Sequence, residues 1–325
     1  MPRRSSRAFR LLSSGLVLVS LGFIGYVFVS NLDRIPEEKF SFRPVYLIAA
    51  FLLSPLSNGT SSWLWYRVLI LLGERPAFVP VWRINMYSQI VRYAPGKIWN
   101  YLGRVYWGRA LGMSRRNLLL SSVIDLILLM FGALAASLFS IELLLPGEYA
   151  YLPFPLMLLS LAVLHPALVS KLVSVAGARR GLGAVRLDFR YAQVFKLAAG
   201  YIVLWHLMGV QFFLFIRSFY PLALDRLPEL IGINAASWVL GYLSFVAPAG
   251  VGVKEGVFVF AFKSIAPAAI AALSAVLLRL FIIVNEVLAA GIFFCFDRDA
   301  RRTVRGFLGK PGLRRTPETE EDDAA

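Results

Sequence analysis

Cysteine is almost absent from this chain. Its 325 residues contain one, Cys295, so neither an intramolecular disulfide nor a CxxC metal site is available. Histidine is nearly as scarce: His165 and His206 stand in apolar surroundings, with no HExxH pairing and no metal-ligand partner nearby, so each is expected to be a core or interfacial residue. There is no GxSxG nucleophile elbow and no ATPase signature. Acidic residues are few, 19 against 34 Lys and Arg, for a net charge of +15. In a soluble protein that balance would point to nucleic acid. Here the bases gather between apolar runs, as cytoplasmic loops require, and nucleic acid is not an expected partner. Ten-residue segments of alternating polarity are also missing, which excludes a membrane β-barrel.

What the chain has in quantity is apolar length. Hydrophobic residues make up 58% of it, against roughly 45–50% in soluble domains, and its mean hydropathy is +0.68. Apolar runs cover 11–30, 45–72, 117–140, 152–170, 197–216, 230–247 and 268–296. A helix crosses a bilayer core with about 20 such residues, its backbone groups satisfied internally. The start, MPRRSSRAFR and an apolar stretch, imitates a signal peptide. The stretch is too long for one, however, and NLDRIPEE follows where a cleavage site belongs, so a retained first span is expected.

Loop charge orients the spans. Arg3, Arg4, Arg7 and Arg10 place the start inside, and the balanced 31–43 suits the outside. Arg104, Arg109, Arg115 and Arg116 are inside, Glu142 and Glu148 outside, and the bases of 171–196 inside again. Arg298, Arg301, Arg302 and Arg305 put the start of the tail inside, so both termini are expected in the cytoplasm of a cell inner or plasma membrane protein. The alternation holds on one condition: regions 81–110 and 228–266 each begin and end on one side.

Both regions carry a helix break with charge. The first reads YAPGKIW around Pro95 and Gly96, and the second reads VAPAGVGVKEG over 246–256. Pro95 and Pro248 are 153 positions apart, and each break follows one apolar span and precedes another. The unit 45–140 starts outside and the unit 197–296 inside, so the repeats are inverted, the arrangement that points to a transporter-type site near the midplane. The expected fold is all-α: a polytopic integral membrane protein with about six full spans plus two re-entrant broken-helix hairpins, or eight helical spans, in an inverted repeat.

Candidate site residues follow from the breaks. Arg92, Lys97 and Arg104 flank the first, where the exposed N–H groups of the next half-helix add partial positive charge; together they make a trap for an anion, most naturally a phosphate. The bland alternative is snorkelling to anionic head groups. At the second break, Gly250, Gly252 and Gly256 have GxGxxxG spacing with no preceding strand, so a nucleotide site is rejected. They are expected to let the backbone turn tightly or approach a neighbour. Lys254 and Glu255 pair with each other or with head groups, or they touch substrate. Asp125, Asn234, Arg279, Asn285 and Glu286 are polar residues inside spans, functional hypotheses by default. Asp125 and Arg279, 154 apart, hold nearly equivalent places. Either they pair across the pseudo-symmetric interface or each satisfies local backbone or water. Arg67, near a span end, is expected to snorkel. The Trp and Tyr residues between 63 and 107 read mostly as an interfacial belt, with a few near Lys97 available to hold an acyl or isoprenoid chain.

The stretch RYAPGKIWNYLGRVYWGRALGMSRRNLLLSSVIDLILL, followed by SFVAPAGVGVKEGVFVFAF and LLRLFIIVNEVLAA, resembles the lysylphosphatidylglycerol synthase/flippase transmembrane-region family, over essentially all of the chain to about residue 296. That family includes the flippase half of the bacterial multiple peptide resistance factor, hopanoid-associated membrane proteins and archaeal glycosylation-associated proteins. Arg92, Pro95, Gly96, Arg104, Pro248, Gly250, Gly252, Lys254, Glu255, Gly256 and Arg279 match its recurring positions, while Ala249 stands where glycine is usual. The synthases carry a large soluble aminoacyl-transferase domain after the membrane part; here about 30 residues follow, ending in PETEEDDAA, and they read as a disordered cytoplasmic tail. The resemblance implies a flippase-like transmembrane domain over 1–296, a tail over 297–325, and movement of an anionic, phosphate-containing lipid (a phospholipid or a polyprenyl phosphate-type lipid) between leaflets. With Asp125 and Glu286 added, these positions other than Gly256, together with Lys97, form the expected substrate site. No cofactor or metal is called for, and a homo-oligomer is left open. The alternative is an intramembrane accessory subunit or enzyme of cell-envelope glycolipid or aminoacyl-lipid synthesis.

Overall fold

A computed structural model describes residues 41–91, 99–140, 147, 151, 153–163, 165, 191–244 and 252–297. The first span at 11–30, most of the loops at 141–150 and 171–196, and the tail beyond Asp297 lie outside the described residues, as do Arg92, Pro95, Gly96, Lys97, Pro248 and Gly250. Every regular element described is helical. In chain order these are α1 (Pro44–Leu71), α2 (Phe78–Val91), α3 (Trp99–Ala110), α4 (Arg115–Ser137), α5 (Pro153–Val163), α6 (Tyr191–Arg217), α7 (Leu227–Leu243), α8 (Val253–Phe262) and α9 (Ala268–Phe296).

Among the described residues, three stretches are long and apolar enough to cross a membrane: Arg115–Ser140, Ala192–Arg217 and Ala268–Phe296. They correspond to α4 with its short 3-10 extension, to α6 and to α9. Helix α1 is as long as these, 28 residues, but its middle reads SPLSNGTSS. Those small polar residues serve packing: Ser54, Ser57 and Ser62 are buried, and Gln211 of α6 donates to Ser54 Oγ. Small and hydroxylated side chains let helices approach closely where apolar burial gives no drive toward association.

Helix α1 runs antiparallel to α6. The N–H of Arg43 donates to Ser218 O at one end (2.7 Å), and Gly200 meets Leu64 further along. Helices α4 and α6 lie side by side in the same direction, with Trp205 Nε1 donating to Leu129 O (2.9 Å). Gly132 makes that approach possible, because a Cβ there would stand 2.7 Å from the Tyr201 carbonyl oxygen.

Between the long helices lie two pairs of short ones. Helix α2 has 14 residues and α3 has 12, about 21 and 18 Å at 1.5 Å per residue, each less than a bilayer core of about 30 Å. The two pack against each other, and their outer ends meet. Glu74 Oε1, before α2, accepts from Ser114 N (3.0 Å) and Asn117 Nδ2 (2.8 Å), just after α3. The pair therefore starts and finishes at one end of the bundle, the condition the charge pattern set for 81–110. Helices α7 (17 residues) and α8 (10 residues) form the second pair. Helix α5 has 11 described residues, and the rest of the apolar run 152–170 is largely outside the described part.

The core is layered around these contacts. A phenylalanine-rich cluster joins α6, α7, α8 and α9, including Phe212, Phe215, Phe258, Phe262 and Phe281. Trp65, Val81, Val105 and Leu118 knit α1 through α4 at the other side.

Candidate functional site

A half-open cavity of about 180 Å³ lies at the centre of the bundle, lined from α1, α2, α3, α4, α6, α7, α8 and α9. Its polar lining is Ser61, Gln89, Asn100, Tyr101, Arg104, Asp125, Tyr201, Tyr242, Lys254 and Arg279. Four of the expected site residues thus meet around one space, although Arg104 and Arg279 are far apart in the chain. Gln89 and Asn100, which flank the first break in sequence, both line it.

The charges are organised as two ion pairs. Arg104 Nη1 lies 2.7 Å from Asp125 Oδ2, and both residues are buried. Arg104 also donates through Nη2 and Nε to Asn85 Oδ1 (2.8 and 3.3 Å), and its guanidinium lies over the Trp65 ring. Tyr201 donates its hydroxyl proton to the other carboxylate oxygen of Asp125. Asn85 is held in turn by a bond from its Nδ2 to Ser62 Oγ (2.9 Å). Such saturation is what a buried ion pair needs, since each unpartnered charge or dipole at low dielectric carries its full desolvation cost.

The second pair is looser. Arg279 Nη1 lies 3.3 Å from Glu255 Oε1, and both side chains retain some exposure, 19% and 14%. Glu255 Oε2 accepts from the N–H of Gly252 (2.8 Å), which starts α8 at φ +87°. A side chain there would be strained, so the expected tight turn at Gly252 is present. Gly256, by contrast, faces open space.

Two expectations are corrected here. Asp125 and Arg279 do not pair with each other; each finds its opposite charge on the short helix that precedes its own long helix. Lys254 and Glu255 do not pair with each other either. Glu255 is taken by Gly252 and Arg279, and adjacent residues on a helix point apart, which leaves Lys254 facing the cavity near the Phe212 ring. Glu286 is buried two turns beyond Arg279 on α9, outside the cavity lining. The aromatic belt is also revised in part. Trp63 and Tyr106 are exposed, as a belt requires, but Trp65 is fully buried beneath Arg104 and Tyr101 faces the cavity. His206 is half-buried, with its Nδ1 2.8 Å from Ile202 O and its ring edge-on to exposed Phe139.

The sequence reading left Asn85, Tyr101, Tyr201 and Tyr242 out of the site. Tyr101 and Tyr242 join hydroxyls at 3.3 Å, from α3 to α7, and Trp238 stacks on Tyr242. Asn85 had a signal, since it is one of two amides, with Gln89, in the apolar stretch FVPVWRINMYSQIV. Tyr201 had none, because a tyrosine in a span reads as belt or core.

Across this lining and its immediate partners, three cations (Arg104, Lys254, Arg279) stand against two carboxylates (Asp125, Glu255). Among the described residues, the lining of the cavity is thus biased toward anions. No protein-family model and no curated protein matches this chain.

Proposed function

We propose that this is a membrane transporter-like protein, a lipid flippase, that moves an anionic, phosphate-containing lipid between leaflets. The observation that carries the reading is the central cavity with its excess of basic side chains. Its volume of about 180 Å³ is below the roughly 300–1,000 Å³ of sites that enclose a whole small molecule. It suits a head group whose tails stay in the surrounding lipid.

An inverted repeat of four helices is part of the same reading. Helices α1 to α4 are read as answering α6 to α9: most helix partners recur when the sets are exchanged, although α4 packs on α6 far more extensively than α9 packs on α1. The α2–α3 pair answers α7–α8, the contact of α4 with α7 answers that of α9 with α2, and α1 packs on its counterpart α6. On this reading the short pairs are re-entrant hairpins, α1 is a further span, and α5 stands outside the repeat. The termini are cytoplasmic, and the membrane is the cell inner or plasma membrane. The motif resemblance to the lysylphosphatidylglycerol synthase/flippase transmembrane region points the same way. Movement is downhill or ion-coupled.

The test is reconstitution into liposomes with a panel of labelled phospholipids and polyprenyl phosphates. Lys97→Gln, Arg92→Gln and Lys254→Gln are compared with Arg115→Gln, which removes a charge from the start of α4 at the end of the bundle. Hydrogen bonds to charged groups are worth roughly 1.5–3 kcal/mol, about tenfold or more in affinity. The three site variants are expected to slow lipid movement by about that factor, and Arg115→Gln to leave it unchanged. Equal loss in all four would reduce the effect to general surface electrostatics, and no loss in any would remove the anion site.

A further inference from the structure

A small side chamber of about 20 Å³ opens off the region of Lys254, Arg279 and Ile282, between α6, α7, α8 and α9. Its walls are mostly apolar, including Phe212 and Phe258, but Asn234, Lys254, Glu255 and Arg279 also reach it. Asn234 is 1% exposed, and among the described residues its Nδ2 has no hydrogen-bond partner. A buried amide donor left without an acceptor costs about 1–3 kcal/mol, so its presence here needs a reason.

The first repeat shows what such an asparagine does when it has a partner. Asn85 on α2 receives Arg104 of α3, which pairs with Asp125 of α4. The second repeat has the same order with opposite signs: Asn234 on α7, Glu255 on α8, Arg279 on α9. In the first set the asparagine's acceptor end is used and the set is closed. In the second the buried donor end has no partner among the described residues, while Glu255 is occupied by Gly252 N and Arg279.

We infer that Asn234 is a specificity-determining residue of the head-group site, whose Nδ2 receives one acceptor oxygen of the bound anion in the side chamber. The space fits this size of group. A single water needs about 10–15 Å³, so 20 Å³ admits one oxygen and not a whole phosphate. The charge fits as well, since Lys254 and Arg279 outnumber Glu255 around the chamber. The cations would supply attraction and Asn234 would supply direction. This rests on the head-group reading above.

The experiment uses the full chain in detergent micelles, with two probes titrated calorimetrically: a water-soluble short-chain phosphatidylglycerol and inorganic phosphate. Asn234→Leu keeps the shape and removes the donor; Asn234→Asp keeps the shape and adds negative charge. Thermal unfolding without ligand is measured alongside. The expected result is a melting temperature for ligand-free Asn234→Leu at or above that of the unsubstituted protein, because an orphan donor has been removed. Its affinity for the lipid should fall about tenfold, and that of Asn234→Asp further. Unchanged lipid affinity in Asn234→Leu overturns the inference, and a lowered melting temperature with it would assign Nδ2 to a fixed structural water. Loss confined to inorganic phosphate overturns the lipid assignment and leaves a free-anion site. If the unsubstituted protein binds neither probe, the head-group reading itself falls.

Discussion

At the residue scale the central cavity is flanked by two ion pairs of unequal burial. Arg104 and Asp125 are each taken from water and compensated by Asn85, Trp65 and Tyr201. Removing one partner of such a pair leaves a buried charge alone, at a cost of about 3–5 kcal/mol. Asp125→Asn should therefore lower the unfolding temperature in detergent strongly. Glu255→Gln, in the longer and wetter pair, should lower it much less. If the two variants melt together, burial does not distinguish the pairs. Tyr201→Phe removes only the hydroxyl bond to Asp125 and should cost about 1–3 kcal/mol, measurable on the same scale. Asp125 and Arg279 were visible as charges in apolar runs, and Arg104 and Glu255 as charges beside the helix breaks. Their pairing was not, because equivalent positions in a repeat need not touch.

At the element scale two glycines decide geometry. Gly132 allows α4 to lie against the backbone of α6, and a methyl group there would meet the Tyr201 carbonyl at 2.7 Å. Helix backbones do not yield cheaply, so Gly132→Ala is expected to part α4 from α6. Because Asp125 and Tyr201 bridge the same two helices, the buried network should loosen with it, seen as lower yield and a lower melting temperature. Gly252 is different: nothing crowds it, but its φ of +87° strains any side chain. Gly252→Ala should cost about 1–3 kcal/mol, and Gly256→Ala, in open helix, should cost nothing or stabilise slightly. Similar losses at 252 and 256 would show that the positive φ is not what matters. The half-length of α2 and α3 was legible beforehand in the charge and the Pro-Gly break between them. The run 45–72 reads in sequence as one more apolar span; the serine-lined contact of α1 with α6 needed the partner helix.

At the scale of the whole molecule the proposed inverted repeat sets corresponding connections on opposite faces. The α1–α2 link contains exposed Ala77 and the α6–α7 link exposed Ala223. With Cys295→Ser the chain has no native cysteine, so single cysteines at 77 and 223 report cleanly. In oriented membrane vesicles an impermeant thiol reagent should reach Ala77→Cys from the cytoplasmic face and Ala223→Cys from the other. Labelling of both from one face would end the inverted-repeat reading while leaving the helical fold intact.

Composition and apolar run length by themselves determined that the chain is helical and suited to membranes, because a bilayer demands internally satisfied backbone and about 20 apolar residues per span. Charge and break positions set the expectation that two segments return to the side they left, since Lys and Arg sort to one side and Pro-Gly interrupts the hydrogen-bond ladder. Tertiary structure alone decided which charge meets which, that Trp65 and Tyr101 turn inward, and that buried Asn234 lines a small chamber. Those outcomes depend on which helix faces pack together. A helical period leaves that open when nearly every face is apolar, because an all-round hydrophobic helix carries little directional signal.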